Sequence, residues 1–259
     1  MLRLSGTVAR PDGATVAYDV AGDGPPVVFL HGLTNRRQGW DPVTDLLAAD
    51  FTCIRVDLRG HGESSRASDY GMPAIVGDVR AVVDQLGVEA PAVVGGSFGG
   101  AAAAVYAALN PVRAAACIDN TLRFGDFAPR VQSRAKALEG EDAMRAVWEI
   151  ELELQFEPYT DLEGFERRVL AFPPEVVRGA WATQLTTPPE QLTAAAEALL
   201  PAIEAPLLCL HGSPPPADYE PWLTGLVPTA QLEVWDGMGH LLHLVDPPRF
   251  AARLRTLLD

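Results

Sequence analysis

The feature that most constrains the fold is a glycine-rich turn with a serine at its centre. The segment Gly95–Gly100 (GGSFGG) follows the apolar run 92–94 and precedes an alanine-rich stretch at 101–109. This order predicts a strand, a tight turn and a helix, with Ser97 at the apex of the turn. Glycines are needed on both sides because the helix passes close to the neighbouring strands, where a Cβ would clash. The pattern therefore predicts a serine hydroxyl held at the carboxyl end of a strand, above the positive end of a helix.

Further short apolar runs alternate with helical patterns along the chain. The runs that predict strands are 27–30, 52–56, 114–118, 207–210 and 232–235, and the helical patterns are 73–86 and 247–258. Strands that alternate with helices predict βαβ units and a parallel sheet with helices on both faces. Two alternating runs within 4–20, around a Pro-Asp-Gly turn, predict an amino-terminal hairpin. The predicted fold class is therefore α/β.

One long segment breaks this alternation. Residues 121–205 have helical spacing and contain no convincing strand. We expect a core domain formed by 1–120 and 206–259, with a helical cap at 121–205 inserted between two strands. Most aromatic side chains of the cap should form its own core, while some should face the cleft where substrate pockets form. The aromatic residues that we consider as substrate contacts are Phe124, Phe127, Trp148 and Trp181.

Charge and composition argue against several classes of partner and site. The formal net charge of −14 argues against nucleic acid and anionic membrane surfaces, because both require clustered Lys and Arg. No apolar run reaches bilayer-spanning length, and the amino terminus lacks a signal-like apolar core. Cys53, Cys117 and Cys209 lie in apolar runs, which indicates free thiols in a reducing compartment. No Cys/His cluster has metal-ligand spacing. These features predict a cytoplasmic protein without a metal site.

A serine hydroxyl is a weak nucleophile at neutral pH unless a base, a group that orients the base and oxyanion donors lie nearby. His240 is the predicted base, because it lies on a loop after the last strand and follows the serine in the chain order that this turn requires. The oxyanion donors are expected to be the backbone N–H groups of Phe98 and Leu33. The other four histidines end strands, lie on a different loop or fall in an apolar run: His31, His61, His211 and His243.

Four motifs in this order resemble the α/β-hydrolase superfamily. They are His31-Gly32-Leu33, the segment 57–64 (DLRGHGES), the segment 95–99 (GGSFG) and Gly239-His240. The resemblance covers nearly the whole chain outside 121–205. It implies a mostly parallel sheet of eight strands, a lid after the sixth strand, a Ser-His-acid triad and no cofactor.

The acid of the triad departs from the usual pattern of this superfamily. Most members have a Gly-x-x-Asp arrangement after the seventh strand, and here that position is Pro215. Asp218 is displaced by three residues, behind a stiff proline run. Asp119, at the end of the sixth strand, occupies the place that a minority of members use, and we favour it. Asp218 remains the alternative acid, and a triad with neither carboxylate stays open.

Together these features predict hydrolysis of a small carboxylic ester or lactone through an acyl-serine intermediate. A serine in the turn argues against the usual epoxide hydrolases and haloalkane dehalogenases, which have an aspartate there. A thioesterase, a carbon–carbon bond hydrolase or a perhydrolase would look the same at these positions. A slow ligand-binding module that retains the triad is a further alternative.

Overall fold

Eight strands form one sheet in a computed structural model that describes residues 3–259. The strands are β1 (Arg3–Ala9), β2 (Thr15–Ala21), β3 (Pro26–Leu30), β4 (Thr52–Val56), β5 (Ala92–Gly96), β6 (Ala114–Ile118), β7 (Leu207–His211) and β8 (Ala230–Val234). Their order in the sheet is β1-β2-β4-β3-β5-β6-β7-β8. The pairs β1/β2 and β2/β4 are antiparallel and all others are parallel. The predicted α/β class and mostly parallel eight-stranded sheet are confirmed.

Helices cover both faces of this sheet. They are α1 (Asp41–Leu47), α2 (Met72–Gln85), α3 (Phe98–Leu109), α4 (Ala128–Gln132), α5 (Ala135–Leu138), α6 (Ala143–Leu152), α7 (Leu162–Leu170), α8 (Pro174–Ala180), α9 (Ala182–Thr186), α10 (Pro189–Leu199), α11 (Tyr219–Leu226), α12 (Leu242–Val245) and α13 (Pro247–Leu258). Short 3-10 helices occupy Arg37–Trp40, Phe124–Asp126 and Leu200–Ala202.

The alternation of side chains along the central strands builds two separate cores. On β3, Val28 and Leu30 join the cluster that contains residues of α2 and α3, whereas Val27 and Phe29 join the cluster that contains residues of α1 and α13. Both sets are fully buried because successive side chains of a strand point to opposite faces. This is why the central strands are continuous apolar runs in the sequence.

The last strand is where the sequence pattern is least accurate. The apolar run predicts a strand at 232–235, but β8 spans Ala230–Val234. β8 is an edge strand with partly exposed side chains, so polar residues such as Gln231 and Glu233 lie in it. Apolar character alone therefore misses the start of the strand by two residues.

The chain between β6 and β7 contains only helices and loops. We call residues 121–205 the helical insertion; it contains α4 to α10. Part of its interior is aromatic: Trp148, Phe156 and Phe165 pack with ring centroids 4.9–6.2 Å apart. In the part of the chain from 3 to 259, no helix has both the length and the apolar character needed to cross a membrane.

Candidate active site

The turn around Ser97 has the backbone geometry that its glycines allow. Ser97 has φ 51° and ψ −121°, a strained conformation that projects its side chain from the end of β5. A Cβ on Gly95 would lie 1.9 Å from the carbonyl oxygen of Gly99, and a Cβ on Gly99 would lie 2.4 Å from that of Leu30. Both positions therefore exclude any larger residue. The N–H of Ser97 donates to the carbonyl of Ile118 at 2.7 Å, which fixes the turn against β6.

Asp119 and His240 form a direct contact above the same sheet edge. The Nδ1–H of His240 donates to Asp119 Oδ2 at 2.6 Å, and the N–H of Gly212 donates to the other carboxylate oxygen at 2.8 Å. A carboxylate is only an acceptor, so the proton of the neutral imidazole is on Nδ1 and the Nε2 lone pair is available as a base. Asp119 has φ 48°, a left-handed conformation that Asp tolerates better than most residues.

Ser97 and His240 line the same cavity, with no hydrogen bond between their side chains in the described part of the chain. Hydrogen bonds of this kind are often long without substrate and shorten when substrate binds.

The pKa values of the two partners move in opposite directions. Burial alone lowers the pKa of His240, but the hydrogen bond and charge of Asp119, with the charge of Glu151, outweigh burial, so the pKa lies above the ordinary histidine value. Burial alone raises the pKa of Asp119, but the hydrogen bond and charge of His240, the N–H of Gly212 and the charge of His211 together outweigh burial and lower the pKa. Asp119 therefore stabilises the protonated form of His240, and the two residues then form an ion pair.

The helical insertion holds the loop that carries His240. The N–H of His240 donates to the carbonyl of Gln155 at 2.7 Å, and the ring of Phe156 lies edge-on to the imidazole at 5.6 Å. Gly239 has φ 64°, and a Cβ there would lie 2.5 Å from the carbonyl oxygens of Gln155 and Glu157. This contact positions the imidazole from outside the sheet, and only a glycine fits it.

The alternative acid lies away from His240. Asp218 precedes α11, its side chain is 73% exposed, and it pairs with Arg123 at 2.8 Å. The prolines before it, 214–216, line a cavity instead of returning the chain to the imidazole. The structure thus brings Asp119, and not Asp218, into contact with the histidine.

The expected oxyanion donors lie on either side of Ser97. Leu33 follows β3 and Phe98 begins α3, and both line the cavity with Ser97. The backbone N–H groups of Leu33 and Phe98 donate no hydrogen bond in the described part of the chain. His31 fixes this loop: the N–H of Leu58 donates to its Nε2 at 3.0 Å, and its Nδ1–H donates to the carbonyl of Gly32 at 2.7 Å. Burial lowers the pKa of His31 to about 4, so this histidine stays neutral.

Two chambers adjoin at the serine. Ser97, Leu33, Glu151 and His240 line both of them. The small chamber, about 20 Å³, is closed by Gly32, Trp40, Phe165 and His243. The large chamber, about 520 Å³, lies between the sheet edge and the helical insertion. A volume of this size accommodates the larger part of a small-molecule substrate.

Three of the four aromatic candidates line the large chamber: Phe124, Phe127 and Trp181. The rings of Phe127 and Trp181 contact each other edge to face at 5.6 Å. The structure does not place Trp148 with them. Trp148 lines neither chamber, because it packs against Phe156 and Phe165 inside the helical insertion.

Glu151 is the residue that sequence reasoning missed. It lies on α6, is 6% exposed, and burial raises the pKa of its carboxyl to about 7. Its spacing could have shown that it is buried with the apolar face of α6. Met144, Val147 and Trp148 form an apolar stripe on α6, and Glu151 continues that stripe at i+3 and i+4.

The chain belongs to the α/β hydrolase family, whose sequence profile matches residues 27–253. The structure superposes on an esterase from Thermogutta terrifontis, solved with malate bound, with a TM-score of 0.78, 25% identity, and 100% and 98% of the two chains covered. It also resembles Est816, described as an N-acyl homoserine lactone degrading enzyme, with a TM-score of 0.80, 27% identity, and 96% and 98% coverage.

Curated sequences match over shorter regions. A soluble epoxide hydrolase of Corynebacterium sp. is 36% identical over 100 residues, which is 38% of this chain and 35% of that protein. The aligned region spans 27% to 35% of the length of such relatives. These sequence similarities therefore concern part of each protein, while the structural similarity extends over the whole chain.

Proposed function

We propose that this protein is a serine hydrolase that cleaves carboxylic esters or lactones through an acyl-serine intermediate. The observation that carries the proposal is the 2.6 Å contact between His240 Nδ1 and Asp119 in the cavity that also holds Ser97. Ser97 is the nucleophile, His240 the general base and Asp119 the acid that orients it. The partner is a small ester or lactone, and none of these steps requires a cofactor.

The chemistry follows from the placement of these groups. His240 Nε2 takes the proton of Ser97 as Oγ attacks the carbonyl carbon, and the N–H groups of Leu33 and Phe98 bind the oxyanion. Collapse of the intermediate breaks the bond to the leaving oxygen, which receives the proton from His240. Water then attacks the acyl-serine with the same base, and the acid product leaves. Asp119 stabilises the imidazolium in both halves of the reaction.

The identity of the nucleophile favours ester chemistry over epoxide opening. Epoxide hydrolases of this superfamily have an aspartate in the turn, whereas this chain has Ser97. The Thermogutta esterase and the lactone-degrading enzyme resemble this chain over nearly its full length, and both are described by ester or lactone chemistry. An oxygen ester or a lactone is therefore the preferred substrate.

We propose that the helical insertion acts as a cap that selects the substrate. Phe127 and Trp181 line the large chamber from this segment, so their bulk limits the group that enters. Trp181→Ala should shift the ratio of kcat/KM values for octanoate and butyrate esters toward the longer chain. The matched control is Trp222→Ala, whose ring lies outside both chambers.

Intact-mass spectrometry tests the proposed reaction. Incubation with a fluorophosphonate should add one adduct at Ser97, and panels of esters and lactones should give turnover. The Ser97→Ala variant should take no adduct and lose about 10⁶-fold in kcat. An adduct with no turnover of any ester or lactone would favour a ligand-binding module. Ester hydrolysis that survives Ser97→Ala would exclude the serine mechanism.

A further inference from the structure

A buried carboxyl on the helical insertion lines the same chambers as the proposed nucleophile. Glu151 is 6% exposed and lines both chambers together with Ser97 and His240. Its side chain makes no hydrogen bond or ion pair within the part of the chain that the structure describes. A buried carboxyl without a protein partner is costly unless water or a ligand in the chambers bonds to it.

The other charged groups around the chambers are engaged elsewhere. Arg130 pairs with Glu153 at 3.0 Å, and Arg134 pairs with the same carboxylate. Asp119 accepts the hydrogen bond of His240. Among the described residues that line the large chamber, Arg130 is the one with a permanent positive charge, and it is already bound to another carboxylate. The described residues therefore leave the partner of Glu151 to be supplied from inside the chambers.

The small chamber admits only a small group to its side of this carboxyl. It is lined by Ser97 and by Gly32 and Leu33 of the expected oxyanion loop, and its volume is about 20 Å³. That is room for about one water molecule or one small substituent. Within this chamber, a carbonyl held between Ser97 and Leu33 leaves room beside Glu151 only for the substituents of its adjacent carbon.

We infer that Glu151 determines specificity by accepting a hydrogen bond from a donor group on the carbon next to the scissile carbonyl. The donor is a hydroxyl or an ammonium group, so the substrate class is esters or lactones of 2-hydroxy or 2-amino acids. This inference rests on the proposed acyl-serine function and names its substrate class. A site with a buried acceptor rejects an analogue that lacks the donor, because the acceptor is then left unpaired.

A matched series of benzyl esters tests this inference with the full-length protein. Benzyl propionate carries no donor, benzyl lactate carries a hydroxyl and the benzyl ester of alanine carries an ammonium group in the corresponding position. Each kcat/KM is divided by the alkaline hydrolysis rate of the same ester, which removes the intrinsic reactivity of the carbonyl. Wild type should favour the lactate or alanine ester over the propionate ester by about tenfold or more.

Substitutions at Glu151 identify the source of that preference. Glu151→Leu should bring the normalised ratios close to one. Glu151→Gln keeps an acceptor oxygen and loses the charge, so it should retain most of the hydroxyl preference and lose most of the ammonium preference. Glu149→Gln is the control, because Glu149 is exposed on the same helix and the substitution removes the same charge. Its ratios should equal those of wild type.

Two results would overturn the inference: a wild-type ratio near one for both donor esters, or a preference that survives Glu151→Leu. If circular dichroism shows that Glu151→Leu does not fold, the alanine ester measured with Glu151→Gln decides the question in the same way. Hydrolysis of all three esters without dependence on Glu151 removes the substrate class and leaves the proposed function intact. No hydrolysis and no fluorophosphonate adduct at Ser97 removes both.

Discussion

At the scale of single residues, the proposed site depends on which aspartate binds His240, the one after β6 or the one before α11. Asp119 follows β6 directly, and the N–H of Gly212 binds one of its oxygens while His240 binds the other. The backbone that follows β7 therefore orients the carboxylate that orients the imidazole. Asp218 lies on the loop that most relatives use, yet it is exposed and bound to Arg123.

Asp119→Asn should lower kcat by about 10⁴-fold, because an amide favours the wrong imidazole tautomer. Asp218→Asn should change kcat by less than about threefold, since its loss breaks only an exposed ion pair. Steady-state kinetics with one ester measures both, and circular dichroism checks that each variant is folded. A large loss of kcat in Asp218→Asn together with a small loss in Asp119→Asn would identify Asp218 as the acid of the triad.

The pKa of His240 gives a second prediction at this scale. The base must be neutral, so kcat/KM should rise with pH through the pKa of His240 in the free enzyme. Burial and the charge of Arg130 lower that pKa, but the hydrogen bond and charge of Asp119 together with the charge of Glu151 raise it by more, so the acidic limb should lie above pH 6.5. The Asp119→Asn variant lacks this charge, so the acidic limb of its remaining kcat/KM should lie at lower pH than in wild type. A limb that stays in place would show that another group controls it.

Individual residues differ in how well the sequence identified them. Ser97 and His240 belong to local motifs, and Asp119 ends an apolar run, so their positions follow from short patterns. Trp148 and Glu151 both lie on α6, and the sequence alone does not tell which side chain faces the chamber. That depends on how α6 packs against its neighbours, which is a tertiary property.

At the scale of elements, the loop of His240 is held by the helical insertion as well as by the sheet. The N–H of Gly239 donates to the carbonyl of Gly212 at 3.2 Å, and the N–H of the next residue, His240, donates to that of Gln155 at 2.7 Å. The insertion therefore does more than cover the chamber, because it also holds the backbone of the residue that carries the imidazole.

Gly239→Ala should reduce kcat/KM by about 10²-fold, since a displacement near 1 Å of a catalytic group costs that much. The added Cβ would lie 2.5 Å from two carbonyl oxygens and force the loop away from the insertion. Gly237→Ala is the matched control. Gly237 has φ 78°, and a Cβ added there would have no atom within 4 Å, so this variant tests backbone strain alone. Equal losses in kcat/KM for the two variants would contradict a positioning role for this contact.

At the scale of the whole molecule, the sheet was predictable and the cavity was not. Strands such as β3 and β5 are short apolar runs because both faces are buried, and this signal is local. The large chamber arises where helices from the insertion meet the edge of the sheet. Its walls come from segments far apart in sequence, so no single pattern in the chain predicts its shape.

The buried carboxyl of Glu151 should make the stability of the whole fold depend on pH. Burial raises the pKa of Glu151 from 4.5 to about 7, so the native state holds this proton more tightly than the unfolded chain does. Its contribution to stability is complete below the unfolded pKa and is lost as pH rises through about 7. The neutral isostere in Glu151→Gln has no such loss. The free energy of unfolding of Glu151→Gln, relative to wild type, should therefore increase between pH 5 and pH 8, by on the order of 2 kcal/mol.

Urea unfolding at the two pH values measures this difference, and Glu149→Gln controls for the loss of one negative charge. Glu149 is exposed, so its substitution should give the same small change at both pH values. If the free energy of unfolding of Glu151→Gln differs from that of wild type by the same amount at pH 5 and pH 8, Glu151 is ionised in the native state at both pH values. The carboxyl would then have a partner in the native protein, and a chamber-bound cation or water network would have to supply it, because Arg130 is held by Glu153.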